Sequence, residues 1–158
     1  MVELTKDDAA PDFRLQDSSG AWVSMKDYAG RKLILYFYPA ALTPGCTVEA
    51  IDFTQSAPAF NQAGYAIVGV SPDKPEKLER FITKHNLSIT LLSDPDRTTL
   101  NAYGAWGERS LWGKVVTGVI RSTFVIDVTP QGTGTILEAQ YGVRATGHVN
   151  RLRTTLGV

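Results

Sequence analysis

Leu33-Ile34-Leu35-Tyr36-Phe37-Tyr38 is an uninterrupted run of apolar and aromatic residues closed by Pro39. A run so short and so apolar fits a strand buried on both faces and is too short for a buried helix. Tyr65 to Val70 repeats the pattern. Between the two runs, Thr43-Pro44-Gly45-Cys46 reads as a helix start, with a hydroxyl at the N-cap, proline at the first helical position and Glu49 soon after. Two buried strands with a helix between them constrain the chain to an α/β fold, a mixed sheet covered on both faces. The opening of that helix then lies at the carboxyl edge of a central strand, where open sheets bind their ligands.

The remaining segments extend this plan. Asp12 to Leu15 and Trp22 to Ser24 flank the turn Asp17 to Gly20 and predict an N-terminal hairpin, after which Ser24 caps a short helical turn ended by Gly30. Pro58 interrupts the long helix that starts at Pro44, which predicts a kink or break near Ser56, with Ser56 re-capping a second segment. Lys74 to His85 carries Leu78, Phe81, Ile82 and His85 at helical spacing. Ile89 to Leu92 reads as a strand, and Asp94-Pro95-Asp96 turns into a helix from about Arg97 to Tyr103. Trp106 and Trp112 are placed on a loop near the helix mouth, as partner surface or as packing. Val119 to Asp127 and Thr135 to Tyr141 predict antiparallel strands, and Val149, Leu152 and Leu156 predict a closing helix over Ala145 to Leu156.

Composition narrows the function. The 158 residues show no compositional break, so one domain over residues 1–158 is expected. Sixteen basic and sixteen acidic side chains cancel, which gives no electrostatic reason to expect nucleic acid or an anionic membrane as a partner. The opening MVELTKDDAAPDF lacks the apolar core of a secretory signal, and no run approaches a membrane span. A single cysteine cannot form an intramolecular disulfide, so the cytoplasm is the expected location. His85 and His148 stand alone, without the clustered ligands a metal needs, and His148 reads as a helix-start residue. Nucleotide-binding glycine patterns are absent, and no cofactor is expected.

Attention falls on the lone Cys46. In the first turn of a helix it faces backbone N–H groups that have no intrahelical partner and favour an anion. A free thiol is only a few per cent thiolate at neutral pH, and a helix N-terminus or a neighbouring cation increases that fraction. On position alone, a small buried hydrophobe is the other reading of such a residue.

Pro39, Thr43 and Cys46 form the spacing PxxxTxxC, and YFYPAALTPGCTVEAIDF resembles the active-site segment of the peroxiredoxins, specifically the bacterioferritin comigratory protein or peroxiredoxin Q group. APDFRL, VGVSPD, LLSDPD, YGAWGE and IRSTFVID resemble further blocks of that group in the same order, across nearly the whole chain. The resemblance implies a thioredoxin-like fold and reduction of hydrogen peroxide or organic hydroperoxides through a cysteine sulfenic acid. It assigns the attacking sulfur to Cys46, the peroxide-orienting hydroxyl to Thr43, the shielding ring to Pro39 and the guanidinium to Arg121. On an alternating strand Ile120, Ser122, Phe124 and Ile126 share one face, while Arg121 and Thr123 share the other and can turn toward Cys46. A guanidinium there favours the thiolate and donates to the peroxide oxygens. Glu49, one helical turn from Cys46, either pairs with Arg121 or another cation or is a solvated acid.

The chain departs from the group's pattern at one point. Many members carry a resolving cysteine five residues after the first, where this chain has Ile51, and others carry it on the next long helix, where Lys74 to His85 has none. The expectation is therefore a one-cysteine mechanism. The sulfenic acid is reduced by a thioredoxin- or glutaredoxin-like protein, by a low-molecular-weight thiol or by Cys46 of a second molecule. A monomer or weak dimer is expected. The same site would also serve a peroxide sensor or a redox relay acting by mixed disulfide.

Overall fold

The computed structural model describes residues 3–158. The sheet is built on β4 (Lys32–Phe37), which pairs in parallel with β5 (Tyr65–Ser71), itself parallel to β6 (Thr90–Ser93). On its other side β4 pairs antiparallel with β9 (Ser122–Val128), and β9 with β10 (Gly134–Tyr141). β1 (Ala9–Ala10) closes that edge, and the hairpin of β2 (Arg14–Asp17) and β3 (Trp22–Ser24) extends the opposite one, giving eight strands in the order β1-β10-β9-β4-β5-β6-β2-β3. α1 (Pro44–Gln62), α2 (Pro75–His85), α3 (Thr98–Ala102) and α4 (His148–Leu156) complete the fold. None of the described helices is long and apolar enough to cross a membrane.

The near-continuous apolar runs have a simple cause. Along β4, Ile34 and Tyr36, followed by Tyr38, join a cluster with Phe53, Phe60, Phe81, Val125 and Leu152, while Leu33, Leu35 and Phe37 join a second with Val68, Phe124, Ile126 and Leu100. With a core on each side of the sheet, every residue of the strand after Lys32 is apolar or aromatic. β9 divides the same way, with Val125 facing the first core and Phe124 the second.

Of the kink or break expected near Ser56, the structure corrects the break: α1 runs unbroken from Pro44 to Gln62 with Pro58 inside it. Phe53, Ala57 and Phe60 are buried on either side of the proline and pin both halves of the helix to one core. Pro58 itself faces solvent, so water is at hand for the carbonyl that loses its helical donor. Ser56 is buried in mid-helix and caps nothing.

The expected loop around the tryptophans is instead a ribbon of β7 (Trp106–Leu111) and β8 (Lys114–Val119). Its two-residue turn, Trp112-Gly113, has φ of 54° and 75°. Positive φ at both positions matches the twist of a hairpin. The ribbon is largely exposed, so it lacks the apolar alternation that reveals a half-buried strand. β8 and β9 are separate strands, parted at Ile120-Arg121. That break frees Arg121 from the strand ladder.

Gly69 on β5 leaves room for the aromatic layer. A Cβ there would lie 2.8 Å from Cζ of Tyr36 and 2.9 Å from Cδ2 of Leu91, and the Tyr36 ring is stacked on Phe53 with centroids 4.5 Å apart. Gly69→Ala is expected to destabilise the fold by about 1–3 kcal/mol through overpacking. Urea unfolding checks this; an unchanged midpoint would show that the layer yields freely.

Candidate active site

Three elements converge on Cys46. β4 ends at Phe37, Tyr38 and the half-buried Pro39 lead into the loop before α1, and Cys46 is the third residue of that helix. The loop is tied to the end of β5: Oδ2 of Asp73 accepts from the Ala41 N–H at 2.7 Å and from the Ser71 hydroxyl at 2.9 Å, and Oδ1 pairs with Lys77 at 3.0 Å. Leu42 is held at φ 67°, a conformation uncommon outside glycine, asparagine and aspartate. Thr43 has the extended backbone of an N-cap, but its hydroxyl bonds no helix N–H and instead donates to the Ala40 carbonyl at 2.7 Å. The expected capping bond is therefore replaced by one that tightens the loop. Because the bond from the Thr47 N–H to the Thr43 carbonyl opens the helical ladder, the Gly45 and Cys46 N–H groups precede it.

Arg121 enters from the break before β9. Its Nη1 donates to Glu49 Oε1 at 2.6 Å and its Nη2 to the Cys46 sulfur at 3.4 Å. Glu49 and Cys46 stand one turn apart on α1, so one planar guanidinium spans both. The solvated-acid reading of Glu49 fails: the side chain is fully buried and ion-paired. Cys46 is buried too, 2% exposed, yet its sulfur is a hydrogen-bond acceptor. Burial pushes the Glu49 carboxyl up to about 7 against the downward pull of Arg121, and its Oε2 has no partner among the described residues. Burial opposes the charge on Arg121, and the attraction and hydrogen bonds of Glu49 and Cys46 outweigh it, so the guanidinium holds its proton more firmly than usual.

Ile51 is half-buried against the core that contains Cys46, and α2 carries no cysteine. His148 is the first residue of α4, as its sequence context suggests. It is also buried and shares a 2.8 Å hydrogen bond with the Thr123 hydroxyl. Nothing in the sequence joins those two residues, which lie 25 positions apart and on different elements.

Residues 7–132 match the AhpC/TSA family model. The chain belongs to the AhpC/TSA family. Among its relatives, a Mycobacterium tuberculosis protein provisionally named a peroxiredoxin is 55% identical over 157 residues, covering 99% of this chain and 98% of the relative. Peroxiredoxin Bcp of Escherichia coli is 44% identical over 127 residues, covering 80% and 81%. The solved structure of the bacterioferritin comigratory protein of Xanthomonas campestris, whose description names alkyl peroxide reduction activity, superposes with a TM-score of 0.82 at 34% identity, covering 92% of this chain and 90% of that one. The fold is thus the thioredoxin-like fold of the bacterioferritin comigratory and peroxiredoxin Q group, and the protein is a thiol-dependent peroxidase with a single cysteine.

Two buried groups of this peroxiredoxin titrate in opposite senses. Glu49, raised from 4.5 to about 7, contributes stability that is fully present below 4.5 and is lost as pH rises through 7. His148 is lowered from 6.5 to about 4, by burial first and then by the charges of Arg151 and Arg121. It contributes stability that is present above 6.5 and is lost as pH falls through 4. Between 4.5 and 6.5 the two offset each other. Glu49→Gln removes one side of the balance. Relative to the parent protein, its unfolding free energy is expected to drop by about 2 kcal/mol as pH falls from 6.5 to 4.5. Denaturant titrations across that range test this, and parallel curves for the two proteins would refute it.

Proposed function

We propose that this peroxidase works through Cys46 alone, by a one-cysteine cycle with an external thiol as reductant. The arrangement that supports this reading best is the Arg121 guanidinium shared between Glu49 Oε1 and the Cys46 sulfur. It sets a fixed positive charge beside the sulfur, where it favours negative charge.

In the oxidising half-reaction the Cys46 thiolate attacks the terminal oxygen of the hydroperoxide, ROOH. The S–O bond forms as the O–O bond breaks, and the leaving alkoxide, or hydroxide from hydrogen peroxide, takes up a proton to give alcohol or water. Sulfur is oxidised by two electrons to the sulfenic acid and the peroxide is reduced by two. Thr43 Oγ1, its own hydrogen committed to the Ala40 carbonyl, keeps lone pairs to accept from the peroxide O–H. The Cys46 N–H and Arg121 donate to the oxygens on which charge develops, and Pro39 shields the sulfur from water. Glu49 keeps Arg121 oriented.

In the reducing half-reaction an external thiol attacks the sulfenic sulfur and releases water, and a second thiol frees Cys46 from the mixed disulfide. The absence of any second cysteine in this chain motivates that step. A thioredoxin- or glutaredoxin-like protein and a small cellular thiol both suit it. Cys46 is 2% exposed, so a protein reductant needs the first turn of α1 to move before it can approach.

With dithiothreitol as reductant, steady hydroperoxide consumption is expected, and Cys46→Ser should abolish it. A single-turnover burst would instead favour a sensor or relay. Arg121→Lys, which keeps the charge but loses the fork, should lower the rate of Cys46 oxidation by about 10²-fold or more. After one equivalent of peroxide, mass spectrometry is expected to find a sulfenic acid; without reductant, excess peroxide should drive it to the irreversible sulfinic acid. A thiol still fully reducible after prolonged excess would count against an unresolved sulfenic acid.

A further inference from the structure

The family match stops at residue 132, yet the site is closed by a segment beyond it. After β10 the chain returns across the mouth of α1. The Val143 N–H donates to the carbonyl of Arg121 itself, at 2.9 Å. Ala145 lies against the first turn of α1, since a Cβ on Gly45 would stand 3.6 Å from both the Ala145 Cβ and Nη2 of Arg121. Arg151 staples this return from behind, with Nη1 donating to the Thr146 carbonyl and Nη2 to the Arg144 carbonyl, each at 2.8 Å. His148 then binds the Thr123 hydroxyl at 2.8 Å, two residues beyond Arg121, and its ring meets Phe53 of α1 edge-on with centroids 5.9 Å apart. His148 and Thr123 are each 1% exposed.

We infer that His148 is a positioning residue for the peroxidase reaction: through Thr123 it fixes the start of β9 and so holds the Arg121 guanidinium over Cys46. The inference rests on the reading of Arg121 given above and deepens it. His148 touches neither the sulfur nor the guanidinium, and it acts on the backbone from which Arg121 departs. Val143 grips that backbone at Arg121 and His148 grips the Thr123 side chain two residues later, so the closing segment holds the chain around the base of the arginine at two points. The charged groups that act on His148 are Arg151 on its own helix and Arg121, while Phe53 from α1 adds an apolar wall. Burial between two cations keeps the ring neutral at physiological pH, the state that leaves one ring nitrogen able to accept from the hydroxyl.

The test is the rate constant for oxidation of Cys46 by hydrogen peroxide and by an organic hydroperoxide. It is measured by stopped flow well below the melting temperature, in parent and Arg121→Ala backgrounds. Thr123→Val keeps the shape of the side chain and removes the hydroxyl, so it carries the test even where a His148 variant folds poorly. Thr123→Val and His148→Leu are each expected to slow oxidation about tenfold or more, as a small misplacement of a catalytic group does. His148→Gln, which retains a hydrogen-bonding end, should recover part of that loss. In the Arg121→Ala background the same changes should slow oxidation no further, because their route to the sulfur is gone. Variants that melt earlier yet oxidise at the parent rate would overturn the inference, as would losses that simply multiply with that of Arg121→Ala. If Arg121→Ala itself oxidised at the parent rate, the reading of Arg121 would fall, and this inference with it.

Discussion

One guanidinium shared between a carboxylate and a sulfur is the contact on which the rest of this structure turns. Arg121 reaches Glu49 at 2.6 Å and Cys46 at 3.4 Å, and both acceptors sit on α1 while the donor comes from the edge of β9. Removing such charges from water costs several kcal/mol per ion, and attraction within the pair offsets this only when the geometry is good. The compensation is incomplete. Among the described residues Glu49 keeps one oxygen unpartnered, and its carboxyl is pushed up to about 7. The fold therefore carries an interaction that stability alone does not call for, and in the proposed cycle it serves to aim the guanidinium at the sulfur.

The surroundings show the same pattern. Tyr36 and Tyr38 lie fully buried in the core that contains Cys46, and neither hydroxyl has a partner among the described residues. Burial raises the pKa of both phenols, so they remain neutral beside the ion pair. Uncompensated polar atoms are rare in protein interiors, and the Tyr36 hydroxyl and Glu49 Oε2 are both of that kind among the described residues. A second expense is the left-handed Leu42, held because Asp73 grips the Ala41 N–H from the end of β5 while the Thr43 hydroxyl closes on Ala40. The order of the sheet makes this possible: β4 lies between β5, which anchors the loop, and β9, whose edge supplies the arginine.

How far the residues could be read in advance depended on the range of the forces involved. The strands at Leu33 and Tyr65 and the helix start at Pro44 were legible because full burial and proline at a first turn leave local marks. Pro58 did not break its helix, because a local rule about helices met a core that holds the helix from both sides. The β7–β8 ribbon passed unseen because exposed strands carry little apolar pattern, and its turn starts with tryptophan, an unusual choice for positive φ. Thr43 was placed correctly at the helix start, but its hydroxyl turned to the loop instead of the helix.

By itself, the sequence determined the alternation of buried strands and helices, the seat of a lone cysteine in a first helical turn, and the want of any second cysteine. Each of these follows from spacing along a few residues or from simple counting. Only the tertiary structure decided that Glu49 is a buried partner of Arg121, that the sulfur accepts from the same guanidinium, and that His148 reaches back to Thr123. The physical reason is distance along the chain. The pairs in question are separated by 72, 75 and 25 residues, and charge and hydrogen bonding at such separations act only after the sheet has brought their elements together.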